Sequence, residues 1–269
     1  MSTTELSQFT VGNLFDVSGR VGLVTGGGAG IGLMITKALV ANGAKVYIAS
    51  RRLELIEKIA SELTKIGPGT CIAIQADLSS KQACEDLAHK IKEREQYLDF
   101  LINNSGVAHN APLEEFPDEA WDQEYRLNVT SVFQLTVACL PLLEASQRQS
   151  EDPARVINVG SIGGIHSSPK ISAYSYQASK AAVLHLSSVL SSHLAGKKVN
   201  VVCIAPGIFP SDMSKSIVAK ESEFIATIPQ GRLGNETDMG GLALFLCSKA
   251  GAYINGSTII IDGGRVLWA

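Results

Sequence analysis

The run Gly26-Gly27-Gly28-Ala29-Gly30-Ile31-Gly32 restricts the fold of this chain more than any other stretch, because of what flanks it. Before it, Arg20-Val21-Gly22-Leu23-Val24-Thr25 reads as a short buried strand. After it, Leu33, Ile35, Ala38 and Leu39 follow a helical pattern up to a glycine stop at Gly43. Strand, glycine turn and helix in that order make a phosphate cradle: glycines let backbone approach a pyrophosphate, and the helix N-terminus offers free N–H groups and a favourable dipole. A turn that serves the fold alone is the alternative reading, and the context favours a dinucleotide.

Further strands are expected at Lys45–Ala49, Cys71–Gln75, Phe100–Asn103, Arg155–Val159, Val199–Ala205 and Thr258–Ile261. Helical patterns lie between them at Leu53 to Lys65, about Pro117 to Glu144, Ala181 to Leu194 and about Asp238 to Lys249. Strands alternating with helices predict an α/β fold, a Rossmann-type doubly wound parallel sheet of about seven strands with helices on both faces. With 269 residues, 45% of them hydrophobic, one large core is affordable. A single domain is expected at 18–269, behind a polar N-terminal arm at 1–17 and with a small substrate cover at about 208–230. Ser146 to Ala154 reads as a surface connection, not a domain boundary, and there is no internal repeat.

A net charge of −3 gives no electrostatic footprint for nucleic acid or an anionic membrane. Met1 to Thr10 is polar, and no run is expected to reach the ~18 apolar residues of a membrane helix, so a cytoplasmic protein with no membrane partner is expected. Five cysteines (Cys71, Cys84, Cys139, Cys203, Cys247) and five histidines are dispersed, without C-x-x-C or metal spacing. Buried free thiols and no metal follow.

The second strand ends at Ser50-Arg51-Arg52, where an acidic residue would hold the ribose 2′-OH of NAD(H). No carboxylate stands there to repel a 2′-phosphate, and a guanidinium can pair with one, so NADP(H) is the expected cofactor; an ordinary solvated arginine pair is the alternative. Asp77 and Leu78 end the third strand, Asp77 either reaching an adenine edge or capping the next helix with Ser79. Asn104, Ser105 and Gly106 make a tight exit from the fourth strand whose amides lock neighbouring strands or border the cofactor.

In Tyr174-Ser175-Tyr176-Gln177-Ala178-Ser179-Lys180, Tyr176 and Lys180 fall at i and i+4, on one helix face. A free phenol titrates at about 10, and a cation within ~4–6 Å lowers that value, so Lys180 would make Tyr176 a general acid/base for a carbonyl/alcohol couple. Tyr174 lies off that face and suits packing or substrate contact. Ser161 follows the fifth strand and projects to the same crevice as the glycine loop. Asn128, within a long apolar helix, needs hydrogen bonds if buried.

With these motifs in place, about Val17 to Gly264 resembles the short-chain dehydrogenase/reductase family: Thr25-Gly26 with Gly30 and Gly32, Asn103-Asn104-Ser105-Gly106, Asn128, Ser161, Tyr176 with Lys180, Pro206-Gly207 and Asp262-Gly263-Gly264. The resemblance implies a catalytic tetrad of Asn128, Ser161, Tyr176 and Lys180. In it Ser161 holds the substrate oxygen, Tyr176 protonates it as hydride arrives, Lys180 binds the nicotinamide ribose, and Asn128 anchors a relay water. It also places Pro206, Gly207, the Ile208 backbone and Ser211 against the cofactor, and implies a homo-tetramer or homo-dimer built through the helices of Asn128 and Tyr176, where Phe133 and Leu186 suit burial. Ser105 stands where the family has alanine, and the Gly164 to Ala173 loop is longer than in many relatives. The Pro-Gly-x-Phe-Pro-Ser turn within Ala173 to Met213 looks most like that of the rhamnolipid-type 3-oxoacyl reductases. The expected reaction is reduction of a small-molecule ketone to an alcohol, with Ile162, His166, Tyr174, Phe209 and Met213 at an apolar crevice rim.

Overall fold

The computed structural model describes residues 6–146, 152–167, 171–214 and 221–268. Seven strands, β1 (Val21–Thr25), β2 (Lys45–Ser50), β3 (Thr70–Gln75), β4 (Phe100–Asn103), β5 (Ala154–Val159), β6 (Val199–Pro206) and β7 (Thr258–Ile261), pair in the order β3-β2-β1-β4-β5-β6-β7. Every pairing is parallel. Chain order reverses between β1 and β4, so a crevice opens beyond the carboxyl ends of those two strands.

Period-2 alternation fills both faces, as a buried parallel sheet requires. Val24, Val46, Ile48, Phe100, Ile102, Ile157, Val202 and Ile204 face one core, shared with α1 (Gly30–Ala41), α2 (Leu53–Ile66) and α7 (Glu236–Cys247). Leu23, Tyr47, Leu101, Val156 and Val201 face the other, shared with α3 (Lys81–Lys92), α5 (Ser131–Glu144) and α6 (Tyr174–Leu194). All five cysteines are buried and free. Val17, at the end of the segment expected as a polar arm, is fully buried in the first core, and the Phe15 ring lies 6.4 Å from that of Phe245.

Several expectations need correction. The helix expected across Pro117 to Glu144 is three pieces: α4 (Asp118–Tyr125), a π turn (Arg126–Thr130) and α5. The π turn takes one extra residue per hydrogen bond and so rotates Asn128 inward without ending the helix. Among the described residues this run, Asp118–Glu144, is long and apolar enough by length and composition to cross a membrane, contrary to expectation. Its Leu135, Cys139, Leu142 and Leu143 are nevertheless packed on the sheet. Phe133, expected to be buried against a partner or against the sheet, is 46% exposed within the chain, so it is not the sheet that covers it. Ser80, not Asp77 or Ser79, caps α3, accepting from Ala83 N–H at 3.2 Å. Parts of the expected cover and of two loops (215–220, 168–170 and 147–151) lie outside the described residues.

Candidate active site

The glycine loop is held from below by β4. Thr25 Oγ1 accepts from Asn104 N–H at 2.9 Å and Ser105 N–H at 3.0 Å, while Asn104 Nδ2 donates back to Thr25 O at 2.9 Å. Gly26 and Gly30 have φ of 65° and 50°, a backbone region that suits glycine. A Cβ on Gly32 would stand 2.3 Å from Gly26 O, so the first turn of α1 approaches the loop only without a side chain. Thr25 and Gly32 therefore shape the cradle from behind and do not line it.

Above the loop lies a cavity of ≈ 400 Å³. Gly26, Gly28, Gly30 and Ile31 form its floor, Ser50, Arg51 and Arg52 its β2 side, and Asp77 and Leu78 its β3 side. Asn104, Ser105 and Gly106 supply the wall from β4, and Pro206, Gly207, Ser211 and Met213 the wall from β6. Ser161, Tyr176 and Lys180 close the far end. Arg51 and Arg52 are exposed at the rim, with Arg52 Nη1 3.9 Å from Asp212 Oδ2 across the opening.

Helix α6 carries Tyr176 and Lys180 one turn apart. The Tyr176 phenol and the Ser161 hydroxyl both border the cavity, near enough for the serine to draw the phenol's titration down, and Ser161 Oγ accepts from Gly163 N–H at 3.0 Å and is thereby fixed at the β5 exit. Lys180 Nζ donates to Val159 O at 2.7 Å and lies 5.7 Å from the Tyr176 ring centre. Asn128 sits one layer behind, its Oδ1 accepting from Val107 N–H at 2.9 Å and its Nδ2 donating to Val107 O and Ser179 Oγ, both at 3.0 Å. The amide is fully used, which answers the cost of burying it.

The electrostatics differ from the sequence expectation. Loss of solvent pushes the Tyr176 phenol above its ordinary value; the Ser161 hydrogen bond draws it part of the way back and the Glu124 carboxylate adds to the rise. Lys180 is buried and pushed down to about 8 for the same reason. With its ammonium turned to Val159 O, the lysine does not bring the phenol down in this state.

Residues 20–222 match the short chain dehydrogenase family. A rhamnolipids biosynthesis 3-oxoacyl-[acyl-carrier-protein] reductase from Pseudomonas aeruginosa is 44% identical over 93% of this chain and 97% of its own length. This chain belongs to the short chain dehydrogenase family. The short-chain dehydrogenase/reductase PhomF of Diaporthe leptostromiformis is 36% identical over 99% of this chain and 98% of its own. Among solved structures, the Pseudomonas aeruginosa RhlG/NADP active-site complex superposes with a TM-score of 0.90 at 43% identity, covering 94% and 98% of the two chains.

Within this short chain dehydrogenase, the expected site residues separate into two groups. Ser161, Tyr176, Lys180 and most of the expected cofactor positions line one cavity, with Asn128 a layer behind it. The substrate rim does not: of its members only Ser161 and Met213 line the cavity. Phe209 is 4% exposed and packs into the first core, because Gly234 leaves a hole for its ring. Ile208 is buried with Phe224, Ile228 and Leu233, and its carbonyl is taken by Gly234 N–H. Tyr174 stacks edge-on against Phe116 at 5.2 Å, His166 is exposed, and Ile162 opens a one-turn 3₁₀ helix. Sequence reasoning missed Val107, Leu127 and Asp212 in the lining, and Glu124 behind it.

Proposed function

We propose that this short chain dehydrogenase is an NADPH-dependent reductase that converts an apolar ketone, a 3-oxoacyl thioester or a carbonyl of similar character, to a secondary alcohol. The observation that carries this reading is the Ser161 and Tyr176 hydroxyl pair at one end of the cavity whose floor is the glycine loop. The residues fit the cofactor: glycines 26, 28 and 30 leave room for a pyrophosphate, and Arg51 and Arg52 stand where a 2′-phosphate would be paired, with no carboxylate from Ser50 to Arg52. Relatives point the same way, since solved structures of three similar chains hold NADP.

NADPH, when bound, supplies hydride to the carbonyl carbon. The chain supplies the rest. Ser161 holds the carbonyl oxygen and Tyr176 gives it a proton, a step for which a phenol kept protonated by its surroundings is the correct starting form. Lys180, with its Nζ beside Gly106 and Val159, is placed to bind a ribose hydroxyl and to return a proton to the phenolate. Asn128 fixes the Val107 backbone and so the wall that faces the reacting groups.

A panel of apolar ketones and 3-oxoacyl thioesters, followed by loss of reduced-nicotinamide absorbance, is expected to reveal turnover with NADPH. Tight NADPH binding with no consumption across the panel would instead mean a non-catalytic nucleotide-binding protein.

A further inference from the structure

Asn128 is one rung of a ladder, and the structure contains a second rung one turn earlier. Glu124, four residues before Asn128, has a fully buried carboxylate. Its Oε1 accepts from His109 N–H at 2.5 Å and lies 2.9 Å from His109 Nδ1, and its Oε2 accepts from Ser175 Oγ at 2.5 Å. Asn128 meets Val107 and Ser179 in the same way. The spacings agree: Ser175 and Ser179 are one turn apart on α6, and Val107 and His109 are two residues apart in the β4 exit. One helical turn and two extended residues both rise about 6 Å, so the two rungs stack.

Each rung ends beside a catalytic residue. Ser179 precedes Lys180, and Ser175 precedes Tyr176. Glu124 thus fastens the first turn of α6 to the loop that walls the cavity, at the level of the reacting phenol. We infer that Glu124 is a positioning residue for Tyr176, fixing the first turn of α6 through Ser175 and setting a buried carboxyl group behind the phenol. The inference rests on the reduction proposed above.

Among the described residues, the groups that act on Tyr176 come from four elements. Lys180 lies on its own helix with the Cys203 thiol behind it, Ser161 comes from the β5 exit, and Glu124 comes from α4 with the His109 ring against it. A carboxylate opposes formation of a phenolate, so its removal lowers the phenol's titration point. Reduction needs the phenol and is lost as pH rises through that point; alcohol oxidation with NADP⁺ needs the phenolate and appears there. Glu124→Gln keeps the shape and discards the charge. It is therefore expected to move the high-pH limb of reduction and the low-pH limb of oxidation both to lower pH, with NADPH affinity unchanged. Ser175→Ala keeps the charge and removes the fastening. It is expected to lower kcat on the order of tenfold while the limbs stay in place.

Thermal unfolding is read beside both variants. A lowered Tm with the Glu124→Gln limbs unmoved, or a Ser175→Ala enzyme with wild-type kcat, overturns the inference while leaving the reductase reading intact. Should Glu124→Gln fail to fold, Ser175→Ala alone decides by the same kcat criterion. Wild type that turns over no ketone removes both readings together.

Discussion

Tyr176→Phe is expected to lower ketone reduction by roughly 10³-fold while NADPH affinity is largely retained. The substitution removes one oxygen. The ring stays packed, Lys180 keeps its bond to Val159 O, and the glycine loop, held by Thr25 and Asn104, is untouched. What is lost is the group proposed to protonate the substrate oxygen, together with the hydroxyl nearest Ser161. Because the loss falls on a step after binding, kcat should drop and substrate KM should change little. Steady-state kinetics with a responsive ketone, beside NADPH titration by fluorescence, separates the two. Turnover near the wild-type level in this variant would remove Tyr176 from the chemistry.

Replacing Ser50-Arg51 by Asp-Ile is expected to reduce the preference for NADPH over NADH, measured as the ratio of kcat/KM values, on the order of a hundredfold. Two effects act in one direction. The variant loses a guanidinium that can pair with the 2′-phosphate, and it gains a carboxylate that repels that phosphate and accepts from the free 2′-hydroxyl of NADH. Arg51 is the more telling of the two arginines because Arg52 already faces Asp212 at 3.9 Å. An unchanged ratio would mean that the 2′-phosphate is held elsewhere along the rim.

The sheet was legible because its strands are buried on both faces. A run such as Val201-Val202-Cys203-Ile204 is apolar on both sides, and the parallel order follows from the helices between such runs. The glycine loop and the placement of Tyr176 and Lys180 one turn apart on a helix were legible because both depend on local spacing. What failed depends on distant partners. Phe209 reads as a rim residue from its place after a Pro-Gly turn, but the space that takes its ring is provided by Gly234, and nothing local marks that. The π turn at Arg126–Thr130 leaves no trace in composition, since an extra residue per turn is a matter of hydrogen bonding. The Tyr176 phenol was expected to fall and instead rises, because a neighbouring amine can be counted from sequence and the loss of solvent around a side chain cannot. Glu124 was overlooked for a related reason: its partners His109 and Ser175 come from two other segments, and only the fold brings them to one carboxylate.

The most direct test follows the transferred atom. Wild-type protein is incubated with a ketone it consumes and with NADPH deuterated at both nicotinamide C4 positions, and the alcohol is analysed by mass spectrometry. Deuterium bound to the carbinol carbon is the predicted result, as it records hydride delivery in the cavity shared by the glycine loop, Ser161 and Tyr176. An alcohol formed without deuterium on that carbon would contradict the account.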